Sequence, residues 1–155
     1  MNRRLTPLSQ TPSDCKVSEV HPYIRRHPLS LPLYLSAVSA GFPSPADDFL
    51  DRPLDLNEHL VRNPAATFFV RVSGDSMLGA GIHNGDILIV DRSLDPTPGR
   101  IVIAAVDGEL TVKRLVQEGE RWLLVAENDG YPAIALDEVG DSLIWGVVRH
   151  VIHSV

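Results

Sequence analysis

The sequence predicts a mainly β protein: a curled, mostly antiparallel sheet preceded by a mobile N-terminal arm. Three observations lead there. From about Ala66 the chain is a succession of short runs rich in β-branched and aromatic residues. Glycine- and proline-marked turns separate those runs, and many short strands joined by such turns curl into sandwiches or barrels. The start of the chain has a different texture. Seven of the twelve prolines lie at or before residue 45: Pro7, Pro12, Pro22, Pro28, Pro32, Pro43 and Pro45.

Each element follows from its residues. Proline removes a backbone donor and disrupts regular structure. Residues 1–30 are therefore expected to be disordered or extended, and 31–50 to form an ordered or semi-ordered arm. Leu54 to Leu60 predicts one short helix capped by Asp55. Strands are expected at Thr67–Val72, Ile87–Val90, Arg100–Val106, Leu110–Val116, Arg121–Ala126 and Leu143–Ile152. Asp107-Gly108, between two strong runs, predicts a two-residue hairpin turn. There is no internal repeat and no long low-complexity tract.

Composition narrows the function classes. The 155 residues suit one domain with some extra length, and 44% hydrophobic residues supply a core. The formal net charge is −6, without the basic footprint of a protein that grips DNA directly. Any nucleic-acid role is expected to run through protein partners. The single cysteine, Cys15, cannot form an internal disulfide and fits a reducing, cytoplasmic setting. No run approaches the roughly 18 apolar residues of a membrane span. Arg25-Arg26 followed by Leu29–Val38 and then Ser39-Ala40 imitates a secretory signal. Pro32 and two serines interrupt its apolar part, and a polar stretch precedes the arginines, so a cytoplasmic location is expected.

Three segments carry potential chemistry. Ser73-Gly74-Asp75-Ser76-Met77 ends a strand and opens onto Leu78-Gly-Ala-Gly81. A serine at such a junction can be presented to a substrate with backbone N–H groups gathered around it, as acyl transfer requires. Taken alone, the same residues also read as an ordinary turn. Lys113 lies mid-strand among Leu110, Val112, Leu115 and Val116. It reads either as an exposed lysine on a polar face or as a general base. The second reading needs burial among apolar groups, which disfavours an ammonium and makes a neutral amine accessible. Ala37-Val-Ser-Ala-Gly-Phe-Pro43 reads as a linker or as a cleavable strand, with small residues around Ala40–Gly41 and Pro43 stiffening the segment. His21, His27, His59, His83, His150 and His153 are scattered without Asp or Cys at metal-ligand spacing, so neither a metal site nor a cofactor is expected.

Four blocks taken together resemble the UmuD family, relatives of the self-cleaving domain of the LexA repressor. They are Ala40-Gly41-Phe42-Pro43-Ser44-Pro45, Ser73-Gly74-Asp75-Ser76-Met77, Asn84-Gly85-Asp86-Ile87-Leu88-Ile89-Val90, and Ala104-Ala105-Val106-Asp107-Gly108-Glu109-Leu110-Thr111-Val112-Lys113-Arg114-Leu115. They occur in the family's order, and the match runs from about residue 31 to the C-terminus. The resemblance implies a sheet of the LexA/signal-peptidase type. It implies Ser76 as nucleophile, Lys113 as general base, Ala40–Gly41 as the bond cut, and backbone N–H groups around Asp75 and Ser76 as oxyanion donors. It divides the chain into an arm, 1–40, removed by self-cleavage, and a β-rich peptidase and partner-binding domain, 41–155. It further implies a homodimer, stimulation by a RecA–single-stranded DNA filament in the SOS response, and a shortened product that serves an error-prone translesion polymerase as accessory subunit. Arg100 stands where the family often has an acidic residue, and the arm is longer than the family's, so residues 1–20 inherit no role.

Three rivals share parts of this pattern. A LexA- or phage-type repressor should carry a helix-turn-helix before the cleavage site, and the forty proline-broken residues ahead of Gly41 leave no room for one. A signal-peptidase-like enzyme should carry a membrane anchor. A non-catalytic binding module of the same fold would keep both dyad residue types and cut nothing.

Overall fold

A computed structural model describes residues 12–28, 30–31, 53–136 and 143–155. The architecture is the expected one. Ten strands are present among these residues: β1 Lys16–Pro22, β2 Ser30–Leu31, β3 Leu54–Asp55, β4 Thr67–Ser73, β5 Ile87–Asp91, β6 Ile101–Val106, β7 Glu109–Glu118, β8 Arg121–Val125, β9 Ile134–Ala135 and β10 Ile144–Ile152. Eight of them form one antiparallel sheet in the order β1-β4-β5-β10-β6-β7-β8-β9, while β2 and β3 pair separately. Lys16 on β1 also registers with Thr111 on β7, which closes the sheet into a barrel.

Local chemistry explains the elements. The one α-helix among the described residues, α1 Leu56–Leu60, follows Asp55, whose carboxylate accepts the Asn57 N–H at 2.8 Å. That satisfies one of the donors a helix start leaves unpaired. The β6–β7 hairpin turns on Asp107 and Gly108, both at positive φ (50° and 79°). Two left-handed residues in succession match the right-handed twist of the flanking strands. No helix among the described residues is long and apolar enough to cross a membrane.

The first strand is the main addition to the sequence reading. Residues 16–22 pair with β4 through six register positions, from Lys16↔Ser73 to Pro22↔Phe68. The segment qualifies as a strand because its only proline is its last residue. The lost donor there costs no internal ladder bond.

Two apolar clusters fill the interior. Cys15, Val70, Val72, Met77, Ile82, Leu88, Val90, Ile103, Val112 and Val148 form one. Val102, Ala104, Leu115, Leu124, Leu143 and Val147 form the other. Strand β7 contributes Val112 to the first and Leu115 to the second, so both of its faces are covered where Lys113 lies. Lys113 is 2% exposed, the bulkiest side chain among those almost fully buried.

Candidate active site

Strand β4 ends at Ser73, and the chain then turns through Gly74-Asp75-Ser76-Met77. The turn is held on both flanks. Asn84 accepts the Gly74 N–H at 3.0 Å. On the other side, Glu127 N–H donates to the Ser76 carbonyl at 2.8 Å, and the Asn128 side chain donates to the Asp75 carbonyl at 2.9 Å. Tyr131 donates its hydroxyl to the Asp75 carboxylate, a bond that pushes the phenol's pKa up to about 12. These ties fix Ser76, which is wholly buried, opposite the middle of β7.

Ser76 and Lys113 meet at one atom. The Ser76 hydroxyl donates to Asp14 Oδ1 at 2.7 Å, and Lys113 Nζ donates to the same oxygen at 2.7 Å. The Lys113 ammonium also lies 5.6 Å from the centroid of the Tyr131 ring, within cation–π range. Thus the two residues singled out as nucleophile and base converge, but a carboxylate from the N-terminal segment stands between them.

The segment bearing Asp14 is fixed by its backbone. The Asp75 N–H donates to the Ser13 carbonyl at 2.9 Å, and the Ser13 N–H returns to the Asp75 carboxylate at 3.1 Å. The Cys15 N–H donates to Ser76 Oγ at 2.8 Å. The Cys15 carbonyl accepts from the Val112 N–H at 3.0 Å and from the Thr111 hydroxyl at 2.9 Å. Gly74 makes this approach possible. Its φ is +105°, and a Cβ there would lie 2.1 Å from the Asp14 carbonyl oxygen, far inside van der Waals contact. One of the two backbone donors expected around an oxyanion, the Asp75 N–H, is therefore engaged by the segment. Ala40 and Gly41 lie outside the described residues.

Charge and burial act together here. Burial pushes the Asp14 carboxyl upward, but the hydrogen bonds from Lys113 and Ser76 and the charge of Lys113 outweigh it and hold the group below its ordinary 3.8. Burial, reinforced by the nearby Asp14 charge, pushes the Cys15 thiol up to about 12. Because docking depresses the Asp14 pKa, docking favours the ionised form. The segment is expected to stay fully docked above about pH 4, the range where a free aspartate is ionised, and to loosen as pH falls through the docked value. The groups facing Asp14 are Lys113, Ser76, Cys15 and, through Ser13, Asp75. Amide hydrogen exchange at Cys15, corrected for its intrinsic pH dependence, should accelerate as the pH is lowered below about 4; unchanged protection would contradict this.

The histidines read as scattered are partly gathered by the fold. His83 and His153 stack with ring centroids 4.4 Å apart, beside the buried Asp86. Both Asp86 oxygens already have donors: Oδ2 takes the His83 N–H at 2.8 Å and Oδ1 meets His153 Nδ1 at 2.6 Å. The three side chains could hold an ion, yet as arranged they form a satisfied network that fastens the end of β10 to the start of β5. The i, i+3 spacing of His83 and Asp86 was the available signal; His153 joins only through sheet pairing.

Comparison with known proteins shows the family to which the chain belongs. A Peptidase S24-like family model matches residues 32–149. MucA of Escherichia coli is 48% identical over 122 residues, covering 78% of this chain and 83% of MucA. SamA of Salmonella typhimurium is 49% identical over 123 residues, covering 79% and 85%. The LexA repressor of Shewanella denitrificans is 38% identical over 127 residues, covering 81% of this chain and 61% of the repressor. A family match over this span, together with relatives of this identity and coverage, identifies the chain as a UmuD-type member of the Peptidase S24-like family.

Proposed function

We propose that the chain is a self-cleaving serine endopeptidase that cuts its own Ala40–Gly41 bond with Ser76 as nucleophile and Lys113 as base. The observation that carries this reading is the burial of a serine hydroxyl and a lysine amine against one common atom, each 2.7 Å from it. A structural lysine has no need of so dry a position, and burying one is costly unless its charge is compensated or its proton is given up.

The steps follow from those roles. With the scissile strand in place of Asp14, neutral Lys113 takes the Ser76 proton as Oγ attacks the Ala40 carbonyl carbon. The carbonyl π electrons move to oxygen, and backbone N–H groups at Asp75 and Ser76 hold that oxyanion. Collapse breaks the Ala40–Gly41 bond, and Lys113 returns its proton to the departing Gly41 amine. The Ser76 ester is then hydrolysed. Lys113 accepts a proton from water, the hydroxide adds to the ester carbon, and Ser76 leaves with the proton restored. The products are an Ala40 carboxylate and a free Gly41 amine.

The same reading extends to context. In it, the chain is a homodimer of the SOS response, a RecA–single-stranded DNA filament accelerates the cut, and residues 41–155 serve a translesion polymerase. The support is the family, together with an acidic charge that points to borrowed contact with DNA. The filament would act by favouring the rarely populated state in which the scissile strand is docked. The experiment is incubation of the full chain at neutral pH with RecA, ATP and single-stranded DNA, followed by mass measurement. Acceleration of a cut at Ala40–Gly41 that needs all three components is expected. An unchanged rate, or a different bond, would overturn the proposal.

A further inference from the structure

We infer that the cleft between the Ser76 turn and β7 is a binding site for an extended strand carrying a carboxylate, and that residues 13–16 of the same chain are its resident inhibitor. This inference rests on the self-cleaving reading and adds a ligand to that site. The family match begins at residue 32, so these residues lie upstream of it.

The geometry of occupation carries the argument. Strand β1 runs antiparallel along β4, and its continuation through Cys15, Asp14 and Ser13 crosses the cleft. Backbone groups of both walls hold it: Asp75 N–H on one side, Val112 N–H on the other. The thiol of Cys15 is fully buried in the first apolar cluster, so the segment is anchored by packing as well as by hydrogen bonds. An acyl-transfer site needs a serine proton aimed at its base, a base able to take it, and space for a carbonyl at Oγ. Asp14 cancels all three. The Ser76 proton points at Asp14 Oδ1, Lys113 Nζ donates to that same oxygen and not to Ser76, and the Asp14–Cys15 backbone fills the space, with the Cys15 N–H on Ser76 Oγ. The segment is held as an inhibitor and not as a substrate because its side-chain carboxylate, not its backbone carbonyl, lies between nucleophile and base. The strand containing Ala40–Gly41 must displace it, and the rate of cutting is reduced by the fraction of molecules in which Asp14 is docked.

Cys15 makes docking measurable without any reference to catalysis, since it is the chain's one cysteine. The experiment compares full-length wild type, Asp14→Ala and Asp14→Asn at neutral pH, following reaction of Cys15 with 4,4′-dithiodipyridine and cutting at Ala40–Gly41 in parallel. In wild type, Cys15 should react far more slowly than in the guanidinium-unfolded chain. Asp14→Ala should accelerate both the thiol reaction and the cut by about tenfold or more, a change set by the docked fraction, and Asp14→Asn should do so by less. Three results would overturn the inference: wild-type Cys15 reacting like the unfolded chain, a variant that frees Cys15 but cuts at the same measurable rate as wild type, or a cut between Asp14 and Cys15. If neither wild type nor variant cuts at all, the self-cleaving reading fails separately. Labelling of Ser76 by a fluorophosphonate then decides the inference, faster in Asp14→Ala if it holds and equal in both if it does not.

Discussion

Ser76→Ala and Lys113→Ala are each expected to slow cutting at Ala40–Gly41 by at least about ten-thousand-fold, because groups that act as one unit fail together. The two changes should differ in their side effects. Ser76→Ala removes the acceptor of the Cys15 N–H and one donor to Asp14, so it loosens the docked segment while leaving the barrel intact. Lys113→Ala removes a long, almost fully buried side chain and leaves Asp14 without its charged partner. It should therefore lower stability as well. Circular dichroism separates loss of chemistry from loss of fold, and mass spectrometry reads the cut. A folded Lys113→Ala chain that still cuts at the wild-type rate would remove the proposed base.

The largest loss of stability is expected from Ile103→Ala. Ile103 is fully buried on β6, which pairs with β7 on one side and β10 on the other, and it registers with both Val112 and Gly146. Truncation removes apolar area and leaves a cavity in the first apolar cluster, which β6 cannot move to fill without breaking its ladders to β7 and β10. The cost should be about 2–5 kcal/mol, a large share of the roughly 5–15 kcal/mol that holds a domain folded. A shift in the urea midpoint at constant slope measures it. A loss below about 0.5 kcal/mol would mean that this part of the barrel repacks freely.

Much of this was legible in the sequence because it depends on short-range signals. Runs rich in β-branched and aromatic residues marked β4, β5, β6, β7, β8 and β10, Asp107-Gly108 marked a hairpin, and Asp55 marked a helix start. Ser76 and Lys113 were singled out together by the family resemblance of their motifs, whereas the burial of Lys113, left open by the sequence, follows from β7 having both faces covered. The docked segment was not legible. Ser13-Asp-Cys-Lys16 has no pattern of its own, and its conformation is dictated by strand edges more than fifty residues away. The prolines around it argued for a loose arm, whereas between Pro12 and Pro22 there is room for one uninterrupted strand. Asp14 could not be singled out either, since its importance comes from two partners 62 and 99 positions along the chain.

The closure of the barrel by β1 bears on what happens after cutting. A break after Ala40 would sever β1 from the body of the protein, leaving it held by hydrogen bonds and packing alone. Once it diffuses away, β4 becomes an open edge, the first half of β7 is uncovered on the side away from β6, and backbone groups such as the Val112 N–H lose their partners. Unpaired edges of this kind are templates for another strand. The truncated chain would thus acquire a docking register already written into its backbone, ready for a strand donated by a second subunit or by another protein.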